Sequence, residues 1–249
     1  MKLSVHFTPF GVAPAALAGK PVIVLDILRA STTIVAALAS GAKAVLPAPT
    51  ADEALKVAQN LEKGDRLLAG ERRCLPIPGF DLGNSPLEMT PKAVAGKTII
   101  LATTNGTPAL VAADPARPVL VAAVTNFSAA AAAGRAAFEE VGELHVVCAG
   151  RERQFAIEDA YVAGRFAQMM LAGKRRSKRA LELNDSAMVA LALVKRYGAR
   201  WSVPIAAGAA ARDLVRLRFR ADVQAASQPD QYDIVPVYDD RRVTVSTRG

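Results

Sequence analysis

The sequence contains little histidine and cysteine, with two of each in 249 residues. His6 and His145 are too few for a zinc site built mainly from imidazoles, and Cys74 and Cys148 lack the C-x-x-C spacing of a structural zinc site. Two cysteines are also too few for a disulfide scaffold, which favours a reducing compartment. We therefore expect any metal to be held by oxygen ligands, which favours a hard ion such as Mg²⁺.

Long hydrophobic runs are also missing. No stretch of about 18 uninterrupted apolar residues occurs, and residues 1–11 lack the basic start and apolar run of a signal peptide. We therefore expect a cytoplasmic protein without a membrane partner. Apolar residues nevertheless make up 51% of the chain, which predicts a globular fold with a full core and leaves room for a homo-oligomer interface.

Short apolar runs alternate with longer amphipathic ones, which is typical of an α/β fold. Residues 22–25 are apolar throughout and suit a parallel strand that is covered on both sides. We predict a single domain over residues 1–249 with three layers, α/β/α, around a mostly parallel, mixed sheet. The portion from about residue 186 is less regular, and its strand pair around residues 239–241 is expected to form an antiparallel edge.

The carboxyl ends of the strands identify the candidate site, because ligands of open α/β sheets bind there. The predicted strands are residues 3–7, 22–26, 44–46, 67–69, 98–102, 119–122, 144–148, 234–237 and 243–245. The predicted helices are residues 32–40, 51–61, 108–113, 128–141, 157–171, 186–197 and 209–217.

Polar side chains follow the strand at residues 22–26. Asp26 and Arg29 precede Ser31 and Thr32, which stand at the start of the next helix. Helix N-terminal N–H groups bind anions, and arginine offers phosphate a bidentate fork. The structural alternative is that a hydroxyl group caps the helix and that Asp26 pairs with Arg29.

Charged residues follow two further strands. Glu71 and Arg72 come after residues 67–69. Arg151 follows the strand at residues 144–148, and Asp159 lies in the first turn of the next helix. Acidic residues in a first turn also complement the helix dipole.

A fourth strand end carries small hydrogen-bonding groups. Thr104, Asn105, Gly106 and Thr107 lie between a strand and a helix, where such residues form a cradle for an anion. Asn-Gly is also an ordinary turn signal. Four strand ends with polar side chains at one edge of the sheet favour a ligand site over four separate structural motifs.

These segments resemble the 2-phosphosulfolactate phosphatases. The resemblance rests on residues 25–34, 69–72, 79–86, 103–107 and 148–150, with Glu158-Asp159 beyond. Gly-Phe-Asp-Leu-Gly-Asn-Ser-Pro at residues 79–86 is the most specific of them. The resemblance implies magnesium-dependent hydrolysis of the phosphate ester of 2-phospho-3-sulfolactate to sulfolactate and inorganic phosphate, a step towards coenzyme M.

The signatures of other phosphatase classes are missing. Neither histidine lies in Arg-His-Gly, neither cysteine has an arginine six positions later, and Asp26 does not begin Asp-x-Asp-x-Thr. Our hypothesis is that Asp26 and Glu71, with Asp159, hold Mg²⁺ against the phosphate. Arg29 and the cradle at residues 104–107 stabilise charge on the phosphoryl group.

The attacking group remains open at this point. A metal-bound water and the carboxylate of Asp26 are the two main alternatives, and the catalytic set is Asp26, Arg29 and Glu71. Cys148 is a weaker third candidate, because its apolar strand predicts a buried, inert thiol.

The net charge of +8 has two interpretations. The basic run at residues 174–179 suits a non-enzymatic polyanion-binding or nucleic-acid-binding module, but no aromatic platform or known DNA-binding motif accompanies it. We therefore expect no nucleic acid partner. The excess charge fits better with one small anionic phosphoester, anchored by Arg29, Arg72 and Arg151. Another small phosphorylated hydroxy acid is the alternative substrate.

Overall fold

The computed structural model describes residues 1–172 and 181–245, so the basic run at residues 174–179 lies outside the described residues. Its strands are β1 (Lys2–His6), β2 (Val22–Leu25), β3 (Ala44–Ala48), β4 (Arg66–Arg72), β5 (Leu75–Pro76), β6 (Thr98–Ala102), β7 (Val119–Ala122), β8 (Glu143–Cys148), β9 (Glu182–Leu183), β10 (Pro236–Asp239) and β11 (Arg242–Val245).

Helices connect most of these strands. They are α1 (Pro14–Leu17), α2 (Ala30–Ala39), α3 (Ala51–Gln59), α4 (Pro91–Val94), α5 (Gly106–Ala112), α6 (Phe127–Val141), α7 (Ile157–Leu171), α8 (Asp185–Tyr197), α9 (Ser202–Ala207), α10 (Ala209–Arg216) and α11 (Arg220–Ala226). None of the helices in the described ranges is long and apolar enough to cross a membrane.

The strands form one mixed sheet in the order β5-β4-β6-β3-β11-β10-β7-β2-β8-β1-β9. Strands β4, β6 and β3 are parallel on one side, and β7, β2, β8 and β1 are parallel on the other. The antiparallel pair β10 and β11 joins these two halves, with β10 against β7 and β11 against β3.

The strand pair near the C-terminal end is therefore central, and its predicted position at the edge of the sheet is wrong. Tyr238 and Val243 pair with each other and are buried, as central strands require. Asp240 and Arg241 form the turn between the two strands, as predicted. The antiparallel arrangement of the pair itself is confirmed.

Side chains alternate between two buried faces of the sheet. On one face, Ile23 and Leu25 pack with α6, α7 and the C-terminal helices. On the other, Val22 and Val24 pack with α2 and α5. Both faces are apolar because both are covered by helices, and the predicted α/β class with a mixed, mostly parallel sheet is confirmed.

All predicted helices and strands are present, with bounds that differ by three residues or fewer. The unpredicted elements are α1, α4, α9, α11, β5 and β9. All of these have seven residues or fewer, too short for a clear periodicity. The portion after residue 186 thus contains more helix than predicted, and α10 and α11 bear directly on the site described next.

Candidate active site

A cleft opens at the carboxyl ends of β2, β4, β6 and β8, with α10 on its outer side. Seven of the residues predicted for the site line it, namely Asp26, Arg29, Glu71, Thr104, Asn105, Arg151 and Asp159. The lining residues that were not predicted are Leu28, Arg73, Cys74, Asn84, Gly150, Glu152, Glu158, Ala210, Asp213, Arg216 and Leu217. The strand-end rule therefore located the cleft, and it missed the wall formed by α10.

Asp26 lies directly after β2 at the floor of the cleft and is 6% exposed. Its Oδ1 accepts a hydrogen bond from the backbone N–H of Ala30 at 3.2 Å, whereas Oδ2 accepts none from the described residues. Burial, with a smaller contribution from the carboxylates of Glu71 and Glu158, raises the pKa of Asp26 to about 7. Asp26 thus has one carboxylate oxygen without a hydrogen bond from the described residues, and it lies close to two other acidic side chains.

Gly106 allows this crowding at Asp26. A Cβ atom at position 106 would lie 2.6 Å from Oδ2 of Asp26 and 2.4 Å from Cβ of Ala30. No side chain larger than hydrogen fits there, so the start of α5 approaches Asp26 through its backbone. Gly106, predicted as a substrate-binding residue, instead packs against Asp26 outside the lining of the cleft.

Asp159 holds two loops of the cleft together. Its Oδ1 accepts from the N–H of Ile27 at 2.9 Å and its Oδ2 from the N–H of Gly150 at 3.1 Å, so it joins the loops after β2 and β8. Burial raises the pKa of Asp159 well above its usual range, and the nearby Asp26 and Glu158 add to this. Both of its oxygens already serve the backbone.

Glu158, the neighbour of Asp159, differs in its hydrogen bonding. It is 3% exposed, and its Oε2 is buried without a hydrogen-bond partner among the described residues. Burial raises the pKa of Glu158. The sequence placed Glu158 in a helix first turn but did not assign it to the site, because a dipole-complementing role accounts for acidic residues there.

Glu71, at the end of β4, bridges two strand ends in the way that Asp159 does. Its Oε2 accepts from the N–H of Cys74 at 2.7 Å, and its Oε1 accepts from the N–H of Thr104 at 2.8 Å. Asn105 makes a similar link, since its Oδ1 accepts from the N–H of Glu152 at 3.0 Å. These contacts fix the mutual positions of the loops after β4, β6 and β8.

Arg29 is almost fully buried at the inner end of the cleft. Its Nη1 donates to Oδ2 of Asp222 at 2.7 Å and its Nη2 to the carbonyl oxygen of Cys74 at 2.7 Å. The structural alternative in which Arg29 pairs with Asp26 is not what the structure shows. The partner is Asp222 on α11, a residue that sequence reasoning did not identify.

The other arginines of the cleft come from two loops and α10. Arg151 is ion-paired with Asp213, which also accepts from Arg216 at 2.8 Å. Arg72 is exposed and does not line the cleft, whereas Arg73 does. Alternation along β4 explains the difference, since Glu71 faces the cleft and Arg72 faces away before the chain turns at Arg73 with φ 53°.

Three predicted substrate-binding residues lie behind the cleft, where they build its loops. Ser31 Oγ accepts from the N–H of Asp26 at 2.8 Å, and Thr32 Oγ1 donates to the carbonyl of Ile27 at 2.8 Å. Thr107 is fully buried, and its N–H donates to Oγ1 of Thr103 at 3.0 Å. These contacts therefore support a structural role for the three hydroxyl groups.

The two thiols are poor nucleophiles in this fold. Cys148 is completely buried, and burial raises its pKa well above the usual range, with a further contribution from Asp159. Cys74 lines the cleft, but burial and then the charge of Glu71 raise its pKa too. Both thiols stay protonated at neutral pH, in agreement with the low rank given to Cys148.

Known proteins with similar sequences identify the family. A family profile described as 2-phosphosulpholactate phosphatase matches residues 7–241. Relatives named "Probable 2-phosphosulfolactate phosphatase" include those of Symbiobacterium thermophilum (38% identical), Caldanaerobacter subterraneus subsp. tengcongensis (37%) and Deinococcus radiodurans (39%). The alignments cover 92%, 87% and 86% of this chain and 95%, 87% and 85% of the respective relatives.

The fold, the charged cleft and these matches define the class of protein as a phosphoric monoester hydrolase. The family profile covers nearly the whole chain, from the end of β1 to the turn between β10 and β11. The chain belongs to the 2-phosphosulpholactate phosphatase family, and the resemblance predicted from its strand-end segments is confirmed.

Proposed function

We propose that the protein is a magnesium-dependent phosphatase that hydrolyses the phosphate ester of 2-phospho-3-sulfolactate to sulfolactate and inorganic phosphate. The names of the relatives support the substrate. The charge of the cleft supports the need for a cation.

The observation that carries the proposal is the excess of carboxylates over arginines in the cleft. Four arginines line it, Arg29, Arg73, Arg151 and Arg216. Six acidic residues line it, Asp26, Glu71, Glu152, Glu158, Asp159 and Asp213. Ionised together, these carboxyl groups would repel a substrate with a phosphate, a sulfonate and a carboxylate, and a cation bound in place of their protons offsets that repulsion.

The donor set fits Mg²⁺. The described residues contain no ready-made group of three or more His, Cys, Asp or Glu side chains for a metal. Mg²⁺ does not require one, because it usually binds one or two carboxylates, with water and substrate phosphate completing its shell. Oδ2 of Asp26 and Oε2 of Glu158 accept no hydrogen bond in the described part of the chain.

We assign the metal to Asp26 and Glu158 on this basis. Glu71 and Asp159, the other two predicted ligands, use both oxygens to bind backbone N–H groups. In this proposal they hold the loops that present Asp26. When bound, Mg²⁺ supplies positive charge to the phosphoryl oxygens.

The arginines orient the substrate and stabilise charge. Arg29 uses two of its five N–H donors on protein groups, which leaves three for phosphoryl oxygens. We assign the sulfonate and the carboxylate of the substrate to Arg73 and Arg151, because both arginines line the cleft. Fixed guanidinium groups that meet developing negative charge lower the barrier of phosphoryl transfer.

The attacking group is either water or the carboxylate of Asp26. Acid quench during turnover followed by borohydride reduction distinguishes them: an Asp26 peptide reduced to homoserine identifies an aspartyl phosphate and hence carboxylate attack, whereas an unmodified Asp26 peptide identifies water attack.

The experiment that tests the function is phosphate release from racemic phosphosulfolactate, with Mg²⁺ and with excess chelator. Other small phosphorylated hydroxy acids are included as alternative substrates. We expect release from phosphosulfolactate that chelator abolishes and Mg²⁺ restores. Faster release from another hydroxy acid phosphate would transfer the proposal to that substrate, and full activity in chelator would refute the magnesium requirement.

A further inference from the structure

Asp222 stands at the junction of three segments that are distant in sequence. It lies on α11 and is 2% exposed. Its Oδ2 accepts from Arg29, which follows β2, and its Oδ1 accepts from Oγ of Ser85 at 2.7 Å. One carboxylate therefore ties the cleft floor, the segment at residues 79–86 and the C-terminal helices.

The Arg29 guanidinium is fixed by these surroundings. The side chains of Arg29 and Asp222 are each 3% exposed, and the ring of Phe219 lies 4.7 Å from the guanidinium carbon. The carbonyl of Cys74 holds the second terminal nitrogen. Arginine normally has high rotamer freedom, so a guanidinium held from three sides is preorganised for its ligand.

We propose that Asp222 is the positioning residue for Arg29, so that α11 belongs to the phosphate-binding machinery although Asp222 itself lies outside the lining of the cleft. The inference rests on the proposed function in one respect, the assignment of Arg29 to the phosphoryl group. Asp222 acts by holding the guanidinium so that its three remaining N–H donors face the ligand.

The first variant is Asp222→Asn, which keeps the size of the side chain and an acceptor oxygen but removes the charge. We expect kcat to fall about 10- to 100-fold, with a smaller change in KM, because a misaligned guanidinium loses more contact with the transition state than with bound substrate.

The control is Asp230→Asn. Asp230 also accepts from a serine hydroxyl, that of Ser128 at 2.7 Å, but it is exposed and outside the cleft. The kcat of the Asp230→Asn variant should differ from that of the native protein by less than twofold.

A double-mutant cycle separates positioning from general support of the fold. In an Arg29→Ala background, Asp222→Asn should cost no further activity, because the residue through which Asp222 acts is gone. An equal loss in both backgrounds, or unchanged kcat in the single variant, overturns the proposal.

A gentler variant covers the case in which Asp222→Asn does not fold. Ser85→Ala removes one hydrogen bond from Asp222 and leaves the ion pair intact. We expect about a threefold loss of kcat that is absent in the Arg29→Ala background. A loss of the same size in that background contradicts the inference.

Inorganic phosphate binding, measured by calorimetry in the presence of Mg²⁺, makes the result independent of the substrate. Every phosphoric monoester releases inorganic phosphate on hydrolysis, so phosphate binding does not depend on which ester is the substrate. If the native protein releases no phosphate from phosphosulfolactate, the proposed function fails, while the same cycle on phosphate affinity still tests Asp222. Unchanged phosphate affinity in Arg29→Ala overturns the positioning role.

Discussion

The two sides of the cleft were built in different ways. The strand-end loops come from β2, β4, β6 and β8, and they are linked to one another by carboxylates that accept backbone N–H groups. The opposite wall comes from α10, and α11 lies outside the lining of the cleft. These two helices reach the loops through ion pairs to Arg151 and Arg29. The loops thus form a rigid frame of backbone bonds, whereas the helices supply counter-charges that aim the arginines.

The largest expected effect belongs to the loop side, at Asp26. Asp26→Asn keeps an acceptor for the N–H of Ala30 but removes the charge that the proposed metal needs. We expect kcat/KM to fall about 10³-fold, since both nucleophile positioning and metal binding depend on this carboxylate. Steady-state kinetics on a variant with native circular dichroism test this. Activity within tenfold of native would remove Asp26 from the chemistry.

A matched pair of arginines sharpens the description of the loops. Arg73 lines the cleft, and its neighbour Arg72 is exposed on the other side of β4. We expect Arg73→Ala to raise KM about tenfold, because a hydrogen bond to a charged group contributes about 1.5 to 3 kcal/mol. Arg72→Ala is the control and should stay within twofold of native. The reverse order would mean that the chain turns differently after Glu71.

A smaller effect is expected on the helix side, at Asp213. This carboxylate pairs with Arg151 and Arg216, and its side chain is 25% exposed. Asp213→Asn should raise KM about fivefold with kcat nearly unchanged, since partly exposed ion pairs contribute about 1 kcal/mol or less. A fall in kcat as large as that of Asp26→Asn would place α10 in the chemistry and erase the contrast between the two walls.

The smallest expected effect is on how the free energy of unfolding depends on pH. The pKa of Asp26 is raised to about 7, so the folded protein holds a proton that the unfolded chain releases near pH 4. Stability therefore falls as pH rises through the folded-state value. Burial lowers the pKa of His6 to about 4 and also lowers that of His145, so both histidines titrate at lower pH.

Between pH 6.5 and 8, without Mg²⁺, we expect a loss of about 1 kcal/mol, or about 2 to 4 °C in Tm. Asp26→Asn carries no such proton and should lose less. Thermal unfolding of both proteins at the two pH values provides the measurement. Equal losses in the two proteins would contradict the shifted titration of Asp26.

The sequence allowed the loop side to be predicted because the strand-end rule depends on local pattern. An apolar run followed by polar residues identified Asp26, Glu71, Thr104 and Arg151 without any knowledge of pairing. Within those loops, the direction of individual side chains was not accessible. Arg73 lines the cleft in place of Arg72 because the chain turns after β4. Ser31 accepts from the backbone N–H of Asp26, and Thr107 donates to the backbone carbonyl of Thr103.

The helix side could not be predicted, because its contacts join residues far apart in the chain. Arg29 and Asp222 are 193 positions apart, and Arg151 and Asp213 are 62 apart. Nothing local marks either acidic residue as a partner. The central place of β10 and β11 was missed for the same reason, since position within a sheet depends on pairing.

The place of β10 and β11 has a consequence for how the chain acquires its fold. This hairpin joins the halves β4-β6-β3 and β7-β2-β8-β1. Its residues, 236–245, follow every strand of both halves in the sequence. Until residues 236–245 are made, β7 and β3 lack the partners that cover their inner edges in the folded protein, and unpaired edges promote association with other chains. A chain that ends before residue 236 therefore lacks the strands that join the two halves and cannot complete the sheet.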